Sequence, residues 1–575
     1  LDDQEEWDAM LINFLNWCWI ALSTGVTGTA IAYLLETVLK VPLRSAKARL
    51  VIGMVFATVY AEIFSLFYRV GVLATLGLLG LTLMGAVIIL ICNRRRARGF
   101  RQILEEYRGK LRAVRPWQWM TAGLIALFFL AISASTPYLG DTYMYHIQAV
   151  EWIERYGIVK GLGNLHFRFA YNSAFECLAA LYSFSSVLGQ SLHAANGFYA
   201  ALLVIYCAVT FQWRPGKKCR LRISDLLKIS AVIYIFGRLM SYGSADTDPL
   251  VMHCITYIFI RWVELLEERE KRPEYYGFLC VLGIYACTVK LSAGLIVLLI
   301  LSPLYQLIRK GERKKILVFA LMSFLIVLPF FARNVIISGY LLYPYAGIDL
   351  FRVDWKMPVS VVQVDRDGIV SHGRAIQNLQ NWSELSMAEW LPIWFASLNL
   401  RQQLLFVLDL FGCLLFLVHL IRKVVQRKKP DGFDFLSFVS VVCFLFWMLS
   451  APLMRYGEFY IWVLAVMTIG GCLQGREILA AAASIVLISE IISASTLTLP
   501  DVGLVVPADY KSFYVEGHET DLEYADGRKV IIYTPNEGGM SDYDYFPETP
   551  EEGQLKDLIF RGDRLEDGFR SARTE

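Results

Sequence analysis

Apolar runs of roughly 20 residues recur along the chain with basic or polar breaks between them, the pattern of a helical membrane protein. At about 20 apolar residues per crossing, the runs predict about fourteen spanning helices. They fall near 11–37, 47–66, 70–92, 117–135, 192–212, 228–243, 249–266, 275–289, 291–309, 315–331, 403–422, 434–450, 458–474 and 478–496. No internal repeat or low-complexity tract interrupts them. From 497 onward the pattern changes: Asp, Glu, Gly and Tyr dominate, and KVIIYTP reads as a strand after the turn signal ADG.

Composition sharpens this picture. Of 575 residues, 56% are hydrophobic, and the mean hydropathy is +0.47. A soluble chain of this length could not hide so much apolar surface. The N-terminal LDDQEEWD is acidic and lacks the basic start of a secretory signal, so the first helix is expected to be permanent. The 11 cysteines form no CxxC pair and no zinc-spaced cluster. Most (Cys18, Cys207, Cys280, Cys287, Cys413, Cys443) sit in or beside apolar segments, as buried structural thiols do.

The net charge of +3 says little, but its distribution orients the chain. The segment 93–115 carries Arg94, Arg95, Arg96, Arg98, Arg101, Arg108, Lys110, Arg112 and Arg115, which places it in the cytoplasm. The breaks Arg214–Arg222, Arg309–Lys315 and Arg422–Lys429 belong on the same side. Counting crossings from these puts the N-terminus, 136–190, the turns 244–248 and 451–457, the loop 332–402 and the tail outside. The apolar stretch 172–190 tests this count. If it crossed, RPGKKCRLR would land outside, so it is expected to lie at the outer leaflet without spanning.

The densest polar constellation is TPYLGDTYMYHIQAVEWIERYGIVKGLGNLHFRFAYN, after the fourth predicted helix. Pro137 and Gly140 end that helix, and Asp141 stands where the next one begins. Asp141 has a plain structural reading, as an N-cap. Its neighbours Tyr143, His146, His166, Arg168 and Asn172 suggest more, because a carboxylate at the mouth of a membrane cavity can take a proton from a hydroxyl. The turn SYGSADTDP adds Asp246 and Asp248, for which capping is again the plain alternative.

Three cations fall at the same predicted level. Lys290 lies between two helices with almost no loop, Arg333 near the end of a helix, and Arg455 in the turn APLMRYG. Positive charge on the outer face runs against the topological bias and suggests a bound anion such as a lipid phosphate. Snorkelling, interfacial anchoring or a nearby carboxylate would also account for it. Acidic groups with cations at one face suit transfer from a phosphate-linked donor to a nucleophile. Outer-loop aromatics (Tyr343, Tyr345, Trp355, Trp382, Trp390, Trp394) suit sugar stacking and equally suit a membrane interface.

At this point the chain resembles the GT-C superfamily of membrane glycosyltransferases, nearest to a bacterial branch of large GT-C-like membrane proteins. The blocks that carry the resemblance are GDTYMYHIQAVEWIERYGIVKGLGNLHFRFAYNS, TVKLSA, ARNVIISGYLLYPYAGIDLFRVDWKMP, APLMRYG and LIFRGDRLEDGF. They run from about 130 to 570, with the first three helices as an N-terminal addition. The resemblance implies that Asp141 is the catalytic base, that Asp246 or Asp248 is a second acidic site, and that a polyprenyl-phosphate-linked sugar is transferred with inversion. It also implies juxtamembrane helices in the first outer loop. Two departures stand out: Asp141 is not paired with a second acidic residue, and no WWD motif is present, which argues against protein N-glycosylation.

The expectation is therefore an all-α polytopic membrane protein of GT-C-like architecture in a bacterial cytoplasmic membrane, with a small extracytoplasmic C-terminal appendage. Its predicted parts are 1–116 (added helices and basic loop), 117–334 (core with first outer loop 136–190), 335–402 (outer loop), 403–496 (C-terminal helices) and 497–575 (tail). Lys290, Arg333 and Arg455 would take the donor phosphate. Tyr143, His146, His166, Arg168 and Asn172 would line the cleft. Magnesium or manganese could be held by Asp141 with Asp246 or Asp248. Partners would be the lipid-linked donor, membrane lipids and an envelope glycan, lipid or protein acceptor, with no nucleic acid. The alternatives are a transporter or flippase of lipid-linked glycans, or a non-catalytic envelope-assembly scaffold. Polar residues at one face, not at the midplane, favour the first reading over transport.

Overall fold

The computed structural model describes residues 2–43, 45–95, 105, 108–109, 112, 114–135, 140–212, 221–379, 381–472, 517–524, 526–535, 545–550 and 552–573. The chain is mostly helical. In order, the helices are α1 (Asp2–Leu39), α2 (Ala46–Ser65), α3 (Val72–Arg95), α4 (Pro116–Ser133), α5 (Ile147–Tyr156), α6 (Ala174–Tyr182), α7 (Ala195–Thr210), α8 (Ile223–Phe236) and α9 (Asp248–Glu267). There follow α10 (Pro273–Val289), α11 (Leu301–Arg309), α12 (Arg313–Ser338), α13 (Val359–Gly373), α14 (Met387–Ser397), α15 (Leu400–Val425), α16 (Gly432–Leu449) and α17 (Met454–Cys472). Two antiparallel pairs close the chain: β1 (Gly517–Glu523) with β2 (Lys529–Pro535), and β3 (Leu558–Phe560) with β4 (Phe569–Ser571).

Among the described residues, 9 helices are long and apolar enough to cross a membrane: α1 to α4, α9, the run Leu291–Arg309, α12, α15 and α16. At 1.5 Å per residue, 20 residues match the ~30 Å hydrocarbon core. Large apolar side chains such as Leu76, Leu83 and Leu90 on α3, and Leu404, Phe411 and Leu414 on α15, face outward. So much exposed hydrophobic surface belongs against lipid.

At other predicted positions the helices differ from expectation. The 192–212 segment is the 16-residue α7, and 275–289 is the 17-residue α10. The 228–243 prediction becomes the 14-residue α8, which stops at Phe236 because the chain turns at Gly237 into a 3₁₀ turn, Leu239–Ser241. The 458–474 segment is α17, with Arg455 and Glu458 in its first turns. The 478–496 prediction and most of the break Arg214–Arg222 lie outside the described residues. The stretch 172–190 divides into α6, 9 residues long, and a single turn Ser185–Leu188. Neither piece can span a bilayer, and every residue of α6 is buried in protein.

The main core fills the space among the helices, with α1 packed on α2 and α3, α4 on α7, and α17 on α15 and α16. A second core holds the tail. Trp152, Leu162 and Leu165 of the first loop, with Met357, close over Ile532, Phe560 and Phe569. Hydrogen bonds pin the join. Gln148 donates to the Tyr545 carbonyl (3.0 Å), Phe169 and its neighbours lie beneath, and the Phe569 amide donates to the Lys160 carbonyl (2.9 Å). Beside that last bond sits Gly568 at φ 93, and a Cβ there would stand 2.2 Å from the Lys160 carbonyl oxygen. Gly568→Ala should therefore loosen the tail by more than ~1 kcal/mol. Limited proteolysis of the purified protein should cut the 517–573 region sooner in the variant, and equal digestion would mean that this contact does not clamp the tail.

Candidate functional site

Asp141 begins a π-helical turn, Thr142–His146, that runs directly into α5. Its backbone is right-handed helical (φ −60°, ψ −29°), and its side chain makes no capping hydrogen bond. The carboxylate instead forms an ion pair with Arg455, at the start of α17. Asp248, the first residue of α9, sits before Pro249 and likewise spends its carboxylate elsewhere. It pairs with Lys290 and lies 3.6 Å from Arg455 Nε. Lys290 is extended (φ −154°, ψ 128°) between α10 and the 3₁₀ run Leu291–Ile300. Its ammonium stands 4.2 Å from the Tyr456 ring centre.

The result is a row of alternating charge, Asp141, Arg455, Asp248 and Lys290, drawn from four separate chain segments. The side chains of Asp141, Lys290 and Arg455 are 22%, 23% and 25% exposed, whereas Asp248 is 6% exposed. Three members are therefore partly exposed and the fourth is buried. Alternation keeps each partly buried charge beside its counter-charge, which such a site needs in order to be stable. Each member also stands at the end of its helix remote from a basic break. Helix α4 starts after Arg115, the turn joining α9 to α10 carries Arg269, Lys271 and Arg272, and α16 follows Lys428 and Lys429.

Behind the row lies Asp246. Its Oδ1 accepts the Asp248 amide (3.0 Å) and lies 3.9 Å from His146 Nε2. His146 Nδ1 is 3.2 Å from Glu176 Oε1 on α6. Asn196 fixes the turn by donating to the Ser244 (2.9 Å) and Asp246 (2.7 Å) carbonyls. Burial, with Asp248 adjoining, pushes the Asp246 carboxyl up against the opposing pull of His146 and Lys290. Burial also works to raise Asp141, but Arg455, His146 and Lys290 outweigh it and hold that carboxyl below the usual range. Two carboxyls that both act on His146 are thus biased in opposite directions, Asp141 toward the ionised form and Asp246 toward the protonated form, the kind of division that separates bases from acids.

The remaining predicted residues scatter. Arg333 is not in the row: its Nε donates to Asn172 Oδ1 (2.9 Å), and its guanidinium also reaches Ser65. Asn172, left-handed at φ 47, donates to Asn334 Oδ1 (2.8 Å) and the Phe330 carbonyl (3.1 Å), so it ties the first loop to α12. His166 is wholly buried with its ring 5.0 Å from those of Phe167 and Phe169, and burial with Arg168 nearby lowers its pKa well below the usual value. Arg168 reaches Met144 Sδ (2.6 Å) and the face of Tyr145, 5.9 Å away. Tyr143 is buried.

Sequence reading passed over several residues that the fold brings in. Tyr456 adjoins both cations, and Tyr145 lies 4.0 Å from the His146 ring. Helix α13 lies across this region: Tyr171 donates to Asp365 Oδ1 (2.8 Å), while Gly373 abuts Ala451. Asp365 carried no local signal: it lies on α13, within the stretch 332–402 that the hydropathy pattern reads as one outer loop. Among the described residues no group of three His, Cys, Asp or Glu side chains converges to hold a metal. Arg455 stands between Asp141 and Asp248, so an ion joining those carboxylates would have to displace it.

Fold and site together define a polytopic helical membrane protein with a charged, partly open cluster at one set of helix ends. The chain belongs to the family described as Domain of unknown function (DUF8201), whose model matches residues 10–462. That span includes all four charges of the row and ends before the β-strand tail. No curated protein and no solved structure matches the chain.

Proposed function

We propose that this protein is a GT-C-type glycosyltransferase of the bacterial cytoplasmic membrane, with about fourteen crossings at roughly 20 residues each and its site facing outward. The observation that carries the reading is the row Asp141–Arg455–Asp248–Lys290. Its position at helix ends opposite the basic breaks supports the outward orientation. The donor is a polyprenyl-phosphate-linked sugar, and the acceptor is a hydroxyl of an envelope glycan, lipid or protein.

Lys290 and Arg455 bind the donor phosphate, two partly exposed cations at a site otherwise rich in carboxylates. An anionic phosphate competes with Asp141 for Arg455, which leaves the carboxylate free to accept the acceptor proton. The acceptor oxygen attacks the anomeric carbon from the face opposite the phosphate, the bond to phosphate breaks, and the configuration inverts. The lipid phosphate departs with its new charge held by the two cations. Asp248, buried beside them, keeps Arg455 and Lys290 in place. No step here is routed through a metal ion.

The test is turnover of a panel of polyprenyl-phosphate sugars by the purified protein, with envelope extract supplied as acceptor. Sugar transfer is expected, and its absence with every donor would sink the reading. The pH profile offers a finer check. A base must be ionised, and Asp141 is held below the usual carboxylate range. Transfer should therefore be flat through neutral pH and fall only in acid, below the pH at which an exposed aspartate titrates. Stability follows the same sign: a depressed folded-state pKa gives a contribution that is full above the unfolded pKa and is lost as pH falls through the folded one. An acid limb near neutrality would assign the base to another group.

A further inference from the structure

A second site lies within the membrane-spanning body, away from the charged row. Helices α2, α7 and α9 each give two turns to an apolar slot, and α10 adds Leu282. The slot encloses about 110 Å³. A cavity of ~150 Å³ holds benzene, so this one has room for a stretch of hydrocarbon chain and not for a headgroup. Its walls include Met54 and Leu203, and its mouth is framed by partly exposed Lys47, Leu50 and Tyr257.

Two further observations point to a ligand. First, His253 and Tyr199 line the slot at 4% and 8% exposure, and neither the ring nitrogens of His253 nor the Tyr199 hydroxyl has a hydrogen-bond partner. Polar groups buried in this way are costly unless something satisfies them. Second, Lys47 stands at the basic end of α2 with its ammonium 4.0 Å from the Tyr206 ring centre, and Glu264, the carboxylate that acts on it, is already held by Lys228 (2.8 Å) and Arg261 (2.8 Å). A cation at the mouth calls for an anion, two donors in the wall call for acceptor oxygens, and the apolar remainder calls for a chain.

We propose that the slot binds one anionic glycerophospholipid, with its phosphate at Lys47, an ester carbonyl on His253 or Tyr199, and an acyl chain between α2, α7 and α9. A phospholipid carries all three groups in one molecule. A polyprenyl phosphate lacks the ester carbonyl and leaves the two donors bare. Lys47 lies at a helix end shared with the basic breaks, so this lipid belongs to the leaflet opposite the charged row. The proposal does not depend on the glycosyltransferase reading.

Delipidated full-length protein in detergent would be offered phosphatidylglycerol, phosphatidylcholine or a polyprenyl phosphate, and the lipid retained would be counted by native mass spectrometry. Phosphatidylglycerol should be retained in preference to phosphatidylcholine. Lys47→Ala, at a partly exposed position, should cut phosphatidylglycerol retention about tenfold and leave phosphatidylcholine unchanged. Leu203→Trp, which fills the slot, should end the preference altogether; if that variant does not accumulate, Lys47→Ala decides alone. Equal retention of the two phospholipids, retention insensitive to Lys47→Ala, or a preference for polyprenyl phosphate at the slot would each overturn the proposal.

Discussion

Asp141→Asn should lower sugar transfer by ~10²–10⁴, the range expected for removal of a positioned general base. The amide keeps the shape of the side chain but cannot take a proton. The fold should survive, because an amide at 141 can still accept a hydrogen bond from Arg455, and Asp248 stays beside that guanidinium, so no charge is left without a counter-charge. The measurement is sugar release by wild type and variant at equal protein, alongside thermal unfolding of both. Loss of transfer with an unchanged unfolding curve supports the role of Asp141 as base. Equal transfer removes Asp141 from it. Loss of both together assigns Asp141 to structure.

Arg455→Ala should have the next largest effect, because one guanidinium serves two carboxylates and the proposed phosphate. Removing an electrostatic donor aimed at developing charge costs about 10²–10³ in rate. The loss should fall on kcat/KM for the donor. The profile should shift as well, since Arg455 is the largest influence holding Asp141 low and its loss should carry the acid limb upward. Arg455→Lys should restore part of the rate, because lysine keeps the charge but not the two-pronged geometry. Combining Arg455→Ala with Asp141→Asn should cost much less than the sum of the two, as expected for residues acting as a unit. Strictly additive losses would mean that the two side chains act in separate steps.

Much of this architecture was legible in the sequence because spanning helices announce themselves one segment at a time. A run such as 72–94 is apolar up to its last two residues, Asn93 and Arg94, and needs no partner to be read. Legibility faded where a helix is shielded by protein instead of lipid. Helices α7 and α8 are short and largely buried, so local hydropathy runs past their ends at Thr210 and Phe236. The same limit shaped the site. Asp141, Asp248, Lys290 and Arg455 each drew notice as a charge near an apolar segment, but only the fold shows that they form one row. Arg333 looked equivalent by that criterion and proves to be a strut to Asn172 and Ser65. Asp365 and Tyr456 matter through contacts with Tyr171 and Lys290, far away along the chain, and no spacing rule reaches that far.

The π-helical turn at Thr142–His146 has a consequence for how this segment tolerates genetic change. Such a turn is an α-helix carrying one residue more than its winding calls for. Downstream, Gln148 and Trp152 are fixed beneath the tail. Excising one codon of the five would remove that surplus residue and let the segment rewind as a regular α-helix with its flanks in their present angular phase, so position 141 would still face Arg455. Inserting one codon would instead add about 100° of winding and turn the Asp141 carboxylate away from Arg455, although every residue of the charged row was still present. The segment should therefore tolerate the loss of a residue better than the gain of one, an asymmetry that no point substitution would reveal.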